Sequence, residues 1–411
     1  MAHFLQLQSV DAVHALLEQW TPLGAESVGL PEALGRILAQ DFSAPENLPG
    51  FVRSTMDGFA VRAKDMFGAS EAMPALLNCI GECAMGEVPT CRIEPGQTAR
   101  IWTGGMLPEG ADAVVMLEYS REAGGHQIEL THPVAPFDHV IAADEDAAKG
   151  DLLLPAGRLL RPQELGLFAA LGVTGLAVYK KPQVAVISSG EEVVPAHAAP
   201  KPGQIRDINA STLSALVHMC GGESRRMGIA GDSPEALLAM IGKALDWADV
   251  ILVSGGSSAG QRDYTASAFT ELGATLLVHG VAISPGKPLI MARKGAQSFW
   301  GLPGHAASTL VCAEVFIRPL LYKLSGRLAD APWRLPRKAV LARSVASAQG
   351  RRDYIRVRLS AGAEGALPVA TPVSGKSGLI TTLVEADALV ICPENLEGLN
   401  VGARVDLHEL L

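Results

Sequence analysis

Asp249-Val-Ile-Leu-Val-Ser254-Gly255-Gly256-Ser257-Ser258-Ala259-Gly260-Gln261-Arg262-Asp263-Tyr264-Thr265 is the stretch on which the reading of the fold turns. Val250 to Val253 is a continuous apolar run, short enough for a strand buried on both faces. It breaks into Ser and Gly, residues without bulky side chains, which lets backbone N–H groups approach an anion closely. Open α/β sheets bind ligands at the carboxyl ends of their strands. The loop therefore reads as a phosphate cradle. Asp263 would repel a phosphate unless a divalent cation stood between them. A tight Gly-rich turn with a surface Asp explains the same residues, and the loop alone does not separate the two readings.

Outward from this stretch, residues 181–326 alternate strands and helices. Strands are expected at Gln183–Ile187, Arg226–Ala230, Val250–Val253, Ala274–His279 and Ser298–Trp300. Helices are expected over Ser211–Val217 with Asn209 as N-cap, from Pro234 to Leu245, and from Ala307 to Tyr322. That alternation implies a doubly wound, mostly parallel sheet with helices on both faces. Residues 49–140 hold short extended runs (Ala99–Trp102, Ala113–Leu117, Gln127–Leu130) and a turn at Asp57-Gly58, which together read as a small inserted β-rich domain. Residues 327–411 read as a C-terminal β domain of barrel-like kind, with short runs such as Tyr354–Leu359 and Ala388–Cys392. Residues 1–48 with 141–180 form an N-terminal linking domain, with helices expected at Val10–Gln19 and Leu30–Gln40.

At 411 residues the chain is too long for a single core, and its net charge of -9 offers no basic block for a nucleic acid. Its six cysteines lack zinc spacing, since Cys79 and Cys83 have no second close pair, and they read as idle thiols in a reducing compartment. Met1 to Trp20 lacks a signal-peptide pattern, and the most apolar segment, Leu165–Tyr179, is too short and too Gly-rich to span a membrane. A cytoplasmic location without membrane contact is expected.

The loops at the strand ends of 181–326 gather small backbones at 188–190, 254–260, 285–286 and 301–304. They also carry the acids Glu191, Glu192, Asp207, Asp232 and Asp263 and the cations Arg206, Arg262 and Lys287. Amides and cations suit a phosphorylated ligand, and several acids suit a divalent metal that bridges to it. Singly, each acid is as well explained as a helix cap or a dipole partner. No Ser-His-Asp or Cys-His nucleophile stands out and no Walker motif is present, so the chemistry would be positioning and electrostatics.

Several longer motifs, in order, then resemble the molybdopterin molybdenumtransferase family, the MoeA-type proteins that include the gephyrin E domain. They are Ser54-Thr55-Met56-Asp57-Gly58-Phe59-Ala60-Val61, Thr103-Gly104-Gly105-Met106-Leu107-Pro108, Glu145-Asp146, Ser188-Ser189-Gly190-Glu191-Glu192, Ser254-Gly255-Gly256, Gly260 through Tyr264, Pro285-Gly286-Lys287-Pro288 and Gly301-Leu302-Pro303-Gly304. The resemblance implies a four-domain homodimer that inserts molybdate or tungstate into adenylylated molybdopterin and releases AMP. Mg2+ or another divalent cation would assist, and a molybdopterin adenylyltransferase would be the pathway partner. It assigns Asp57, Asp146, Glu192, Asp232 and Asp263 to catalysis, with Glu192 and Asp263 on the metal. Ligand binding falls to Thr103, Ser189, Gly190, Ser254, Gly255, Gly256, Ser258, Gly260, Pro285, Gly286, Lys287, Pro303, Gly304 and His305. Asp57 would face the 181–326 domain of the other subunit, and Thr103 would stand on the same side of the site.

The sequence departs from the family pattern in several places. His139, Ile141 and Asp144 stand where the family carries Asn and Arg before its Gly-Glu-Asp. His305-Ala306 replaces Asn-Pro, Ser284 replaces a Lys, and Ser257-Ser258-Ala259 replaces Val-Ser-Val. A lost Arg and a lost Lys remove positive charge from a site meant for anions. The alternative function is therefore a catalytically impaired paralogue that holds the cofactor as a binding or scaffold protein.

Overall fold

The computed structural model describes residues 7–231, 233–255, 261–327 and 338–410, the side chains of 261–263 excepted. The chain divides into two compact units, one of Gln40–Ala156 with Pro162–Gly175 and one of Met1–Ala39, Gly157–Arg161 and Leu176–Leu411.

The smaller unit is built on a six-stranded sheet in the order Ala113–Met116, Gly58–Val61, Gln97–Ile101, Ala75–Cys83, Gln127–Leu130, Ser120–Gly124. Its neighbours are antiparallel except Ala75–Cys83 with Gln97–Ile101. Strand alternation sends Phe59, Val61 and Val115 into one core and Ala60, Ala99 and Val114 into another. Gly58 is obligatory because a Cβ there would stand 2.0 Å from the Val115 carbonyl oxygen. That close approach fixes where the chain leaves Asp57.

The larger unit holds a six-stranded sheet in the order Glu223–Ile229, Gln183–Ser189, Val250–Gly255, Gln297–Leu302, Ile290–Lys294, Thr275–His279. The first four strands are parallel; Ile290–Lys294 runs antiparallel to both its neighbours, so Thr275–His279 runs in the direction of the first four. Val184, Val186, Val250 and Leu252 face one core, while Ala185, Ile187, Ile251 and Val253 face the other. Helices Asn209–Met219 and Ala306–Cys312 contribute to the first core; Pro234–Ala244 and Gln261–Glu271 contribute to the second. Burial on both faces explains why these strands read as unbroken apolar runs. Each fully buried Val, Leu or Ile contributes about 1.5–3 kcal/mol.

The last five long strands close on themselves. Arg352–Ser360 pairs with Val369–Pro372, which pairs with Lys338–Leu341, then Arg404–Glu409, then Ala388–Cys392, and the last returns to Arg352–Ser360. Ile283–Ser284 adds to this barrel alongside Arg352 and Asp353 and so joins it to the α/β sheet.

Three local expectations differ. The helix expected over Leu30–Gln40 is one 3-10 turn, Pro31–Ala33, after which Gly35 takes φ +75 and Ile37 and Leu38 enter bridges with Leu159 and Val178. The helix expected from Ala307 to Tyr322 contains a π turn, Ala313–Ile317, between Ala306–Cys312 and Arg318–Leu324. Pro319 lacks the N–H that would continue the α ladder, which accounts for the change of winding. The strand Ile290–Lys294 is absent from the sequence reading because Pro288 and the turn glycines around it mask its short apolar run.

Candidate functional site

The parallel strands of the large unit deliver their carboxyl ends to a cavity of about 210 Å³. Ser188, Ser189, Ser254 and Gly255 form one side, and Asp207, Asn209, Gly304 and His305 another. Gly255 follows directly from strand register. It lies opposite Ser189, takes φ +118, and any Cβ would stand 1.9 Å from the Ser189 carbonyl oxygen. The two strand ends thus approach more closely than any side chain permits. Beside them the Ser254 hydroxyl is buried without a hydrogen-bond partner among the described residues. A buried hydroxyl without a partner is costly, and a bound polar ligand would satisfy it.

Asp207 organises the second side. Its Oδ2 accepts from Ser188 Oγ at 2.7 Å, and its Oδ1 accepts from the Ala210 amide at 3.0 Å. Asp207 therefore caps the helix Asn209–Met219, the role expected of Asn209. Asn209 is instead the first helical residue, 7% exposed, and its Nδ2 donates to the Gly304 carbonyl at 2.9 Å. This bond fastens the Pro303-Gly304-His305 turn to the start of the helix Asn209–Met219. Ser189 Oγ donates to Gly231 O at 3.0 Å. Glu192 is exposed, and a Cβ on Gly190 would stand 2.7 Å from its Oε2, so its carboxylate lies over that backbone.

The C-terminal barrel adds to this wall. His305 Nδ1 and Ser377 Oγ are 3.0 Å apart, and Gly378 lines the cavity. Ser377 also lines a second cavity of about 680 Å³ with Ser284, Pro285, Arg343 and Arg356. Both arginines spend N–H groups on neutral acceptors. Arg356 bonds Thr382 and the Gly375 carbonyl, and Arg343 bonds the Pro372 carbonyl and Ser374. Asp353, which lines the same cavity, is occupied by Arg351 at 2.9 Å and by Ser347 at 2.9 Å. Burial pulls the Arg356 guanidinium below its usual value, as expected for a cation without a carboxylate partner among the described residues.

Of the expected site residues, Ser189, Glu192, Ser254, Gly255, Gly304 and His305 line the first cavity, with Gly190 and Pro303 in the adjoining backbone. Pro285 lines the second cavity. Gly286, at φ +132, packs against Cys312, and Lys287 is exposed. Asp232, Gly256, Ser258 and Gly260 lie outside the described residues, as does the side chain of Asp263. Among the described residues no three His, Cys, Asp or Glu side chains converge as a metal site.

Asp57, Thr103 and Asp146 belong to the smaller unit. Asp57 Oδ1 accepts from Thr103 Oγ1 at 2.6 Å and from the Thr103 amide at 2.8 Å. The Thr103 hydroxyl, then its amide, hold the Asp57 carboxyl below the usual carboxylate range. Both residues are exposed, so the bonds aim the carboxylate rather than bury it. Asp146 is also exposed, and its amide bonds the Leu48 carbonyl at 3.0 Å. The short strand Arg53–Ser54 ties these loops together. It pairs with Val140–Ile141, and Ser54 exchanges backbone bonds with Gly104 and Gly105.

Asn209, Arg343, Arg356 and Ser377 carry no motif in the sequence. Asn209 reads as a cap, and the other three stand in strands and loops far along the chain. Only the closure of the barrel beside Ser284 brings them near.

Fold and cavities define a multidomain α/β protein with a polar recess at the carboxyl edge of a doubly wound sheet, to whose wall a β barrel contributes. Three family models match in order: MoeA N-terminal region (domain I and II) over 8–172, probable molybdopterin binding domain over 185–323, and MoeA C-terminal region (domain IV) over 338–410. The chain belongs to the MoeA family. It is 34% identical over 389 residues to molybdopterin molybdenumtransferase 2 of Mycobacterium tuberculosis, covering 93% of this chain and 95% of that one. It is 33% identical over 386 residues to the molybdopterin molybdenumtransferase of Bacillus subtilis, covering 93% and 89%. A crystal structure of the molybdopterin biosynthesis MoeA protein from Pyrococcus horikoshii matches with TM-score 0.84 and 36% identity over 98% of this chain and 99% of that one. No helix among the described residues is long and apolar enough to cross a membrane.

Proposed function

We propose that this chain is a molybdopterin molybdenumtransferase, inserting molybdate or tungstate into adenylylated molybdopterin with release of AMP. One observation carries the reading: the Ser189–Gly255 strand ends, with the unpartnered Ser254 hydroxyl beside them, form a polar recess where an α/β sheet takes its ligand. The nucleotide end of the substrate binds there, with Asn209 holding the Gly304 turn against it. The dianionic oxyanion enters by the second cavity, where Arg343 and Arg356 bond neutral groups and the lining carboxylate, Asp353, is taken up by Arg351 and Ser347. Those two guanidinium groups offset the cation that Ser284 does not supply. A tetrahedral dianion suits such planar donors.

Chemistry at the crevice is electrostatic positioning. Asp207 orients Ser188, Ser189 fixes the Gly231 turn, and Asp57, aimed by Thr103, offers a carboxylate in its ionised form. Mg2+ or another divalent cation would arrive with the substrate's phosphates and offset their charge beside Glu192 and Asp263. The protein works as a cytoplasmic homodimer, Asp57 and Thr103 completing the crevice of the other subunit, and draws its substrate from a molybdopterin adenylyltransferase.

The test is AMP release from adenylylated molybdopterin with Mg2+ and either oxyanion. Release that requires molybdate or tungstate supports the reading. Tight binding of the nucleotide without release favours the cofactor-holding alternative, which the His305–Ser377 link would suit by replacing the family's Asn-Pro turn. Subunit sharing is tested by mixing Asp57→Ala with Asn209→Ala protein; a mixture no more active than its components refutes a site shared between subunits.

A further inference from the structure

At the opposite edge of the α/β sheet, where strands Gln183–Ser189 and Glu223–Ile229 begin, two adjoining cavities of about 590 and 290 Å³ open. They share Arg36, Lys181 and His218. The strand from Gln183 to Ser189 separates them from the crevice by roughly 20 Å, at about 3.3 Å per residue. Nothing in the family reading uses them.

Their charge opposes that of the chain. The protein carries a net charge of -9, yet Arg36, Lys180, Lys181, Arg225 and Arg327 gather here around His218. Among the described lining residues the one carboxylate is Glu223, 3.3 Å from Lys181 Nζ; Glu26 engages Arg36. Arg225 lies 4.5 Å over the Trp247 ring and Arg327 lies 4.3 Å over the Tyr322 ring. Ring faces hold these guanidinium groups in place without neutralising them. Of the C-terminal carbonyls of Asn209–Met219, which would repel an anion, two are already engaged: His218 O accepts from Gly221 and Val217 O accepts from Gly222.

Charges on an edge strand commonly guard it against pairing, which accounts for Glu223 and Arg225. It does not account for Arg36, Lys180 and Arg327, which come from three other segments. The volumes fall in the range of small-molecule sites rather than of a peptide groove. Fork-shaped donors converging from several directions match a group with many oxygens. We propose that this cleft is a second ligand site that binds a small phosphate compound of the diphosphate or nucleoside phosphate class, independently of the crevice.

Calorimetric titration of the full chain with pyrophosphate at fixed ionic strength tests this. Pyrophosphate is expected to bind, at least 10-fold more weakly to Arg225→Gln/Arg327→Gln and unchanged to Asn209→Ala. Lys180→Gln/Lys181→Gln serves as a second pair should the first lose the wild-type unfolding temperature. The proposal is overturned if pyrophosphate binds no better than sulfate, if Asn209→Ala abolishes binding that both basic pairs retain, or if a polyglutamate peptide binds more tightly than pyrophosphate.

Discussion

Replacing Gly255 by Ala puts the strand-end geometry to its most direct test. Two costs add. A non-Gly residue at a sparsely populated positive φ costs about 1–3 kcal/mol, and φ here is +118. The new methyl would stand 1.9 Å from the Ser189 carbonyl oxygen and 2.9 Å from its carbon, both backbone atoms that cannot rotate away. Overpacking of this kind costs about 1–3 kcal/mol. The sum, about 2–6 kcal/mol, corresponds to a fall of roughly 5–20 °C in the unfolding temperature of a domain this size. A control separates the two terms. Gly295 sits at φ +58 with open space, nothing within 4 Å, where its Cβ would project, so Gly295→Ala should show only the backbone cost, about 1–2 kcal/mol. Differential scanning calorimetry of both variants, with AMP release measured alongside, gives the answer. Gly255→Ala should melt well below Gly295→Ala and lose turnover. Equal melting temperatures, or a fully active Gly255→Ala, would show that the Ser189–Gly255 approach neither strains the chain nor shapes the site.

Four further outcomes are expected. Asn209→Ala removes the donor to the Gly304 carbonyl and should cost about 1–3 kcal/mol; an unchanged melting temperature together with unchanged AMP release would separate that bond from function. Ser284→Lys adds a cation to the cavity of Arg343 and Arg356 and should tighten molybdate about 10- to 100-fold, the worth of about 1.5–3 kcal/mol for a charged hydrogen bond; unchanged affinity in equilibrium dialysis would remove that cavity from the oxyanion's path. Burial raises the Asp249 carboxyl above its ordinary value, although it accepts the Gln183 amide at 2.8 Å. Its ionised form is therefore unfavourable in the fold, with the cost absent below the unfolded value near 3.8 and growing as pH rises through the raised one. Asp249→Asn should melt higher than wild type at pH 7, with the gap closing near pH 4, and a gap independent of pH would refute this. Thr103→Val deletes the main cause of the lowered Asp57 value, so carbon NMR titration should find that carboxyl moved up toward the ordinary range.

How much of this is legible in the sequence depends on how local the cause is. The strand Val250–Gly255 announces itself because burial on both faces demands an unbroken apolar run, and the turn after Asp57 does so because Gly58 has no room for a Cβ. Leu30–Gln40 reads as a helix because its apolar spacing is regular, but Pro31 and Gly35 break the pattern within a turn. Asn209 stands out in the sequence for a duty it does not perform. Its neighbour Asp207 reaches the Ala210 amide first and leaves Asn209 to bond a carbonyl 95 positions away, and no local rule anticipates a partner so distant. Arg343 and Arg356 are invisible for the same reason, since each is an ordinary polar residue until the barrel closes.

The departures from the family pattern acquire a different weight once these distant residues are counted. Ser284 deprives the cavity of one ammonium, but a lysine is a hydrated point charge on a flexible stem. The two guanidinium groups that remain are held by Thr382, Ser374 and the backbone carbonyls of Gly375 and Pro372, with no carboxylate among those partners. Pre-organised planar donors lose less freedom on binding than a mobile ammonium would, so the two guanidinium groups retain part of the affinity that the absent ammonium would add to. Likewise, His305 does not leave a gap where Asn-Pro would stand. It meets Ser377 at 3.0 Å and so couples the turn after Gly304 to the loop that carries Ser374 and Gly375. A change in the first cavity can therefore reach the second through one hydrogen bond. His305→Ala should weaken molybdate binding and nucleotide binding together, whereas a loss confined to either ligand would mean that the two cavities act separately.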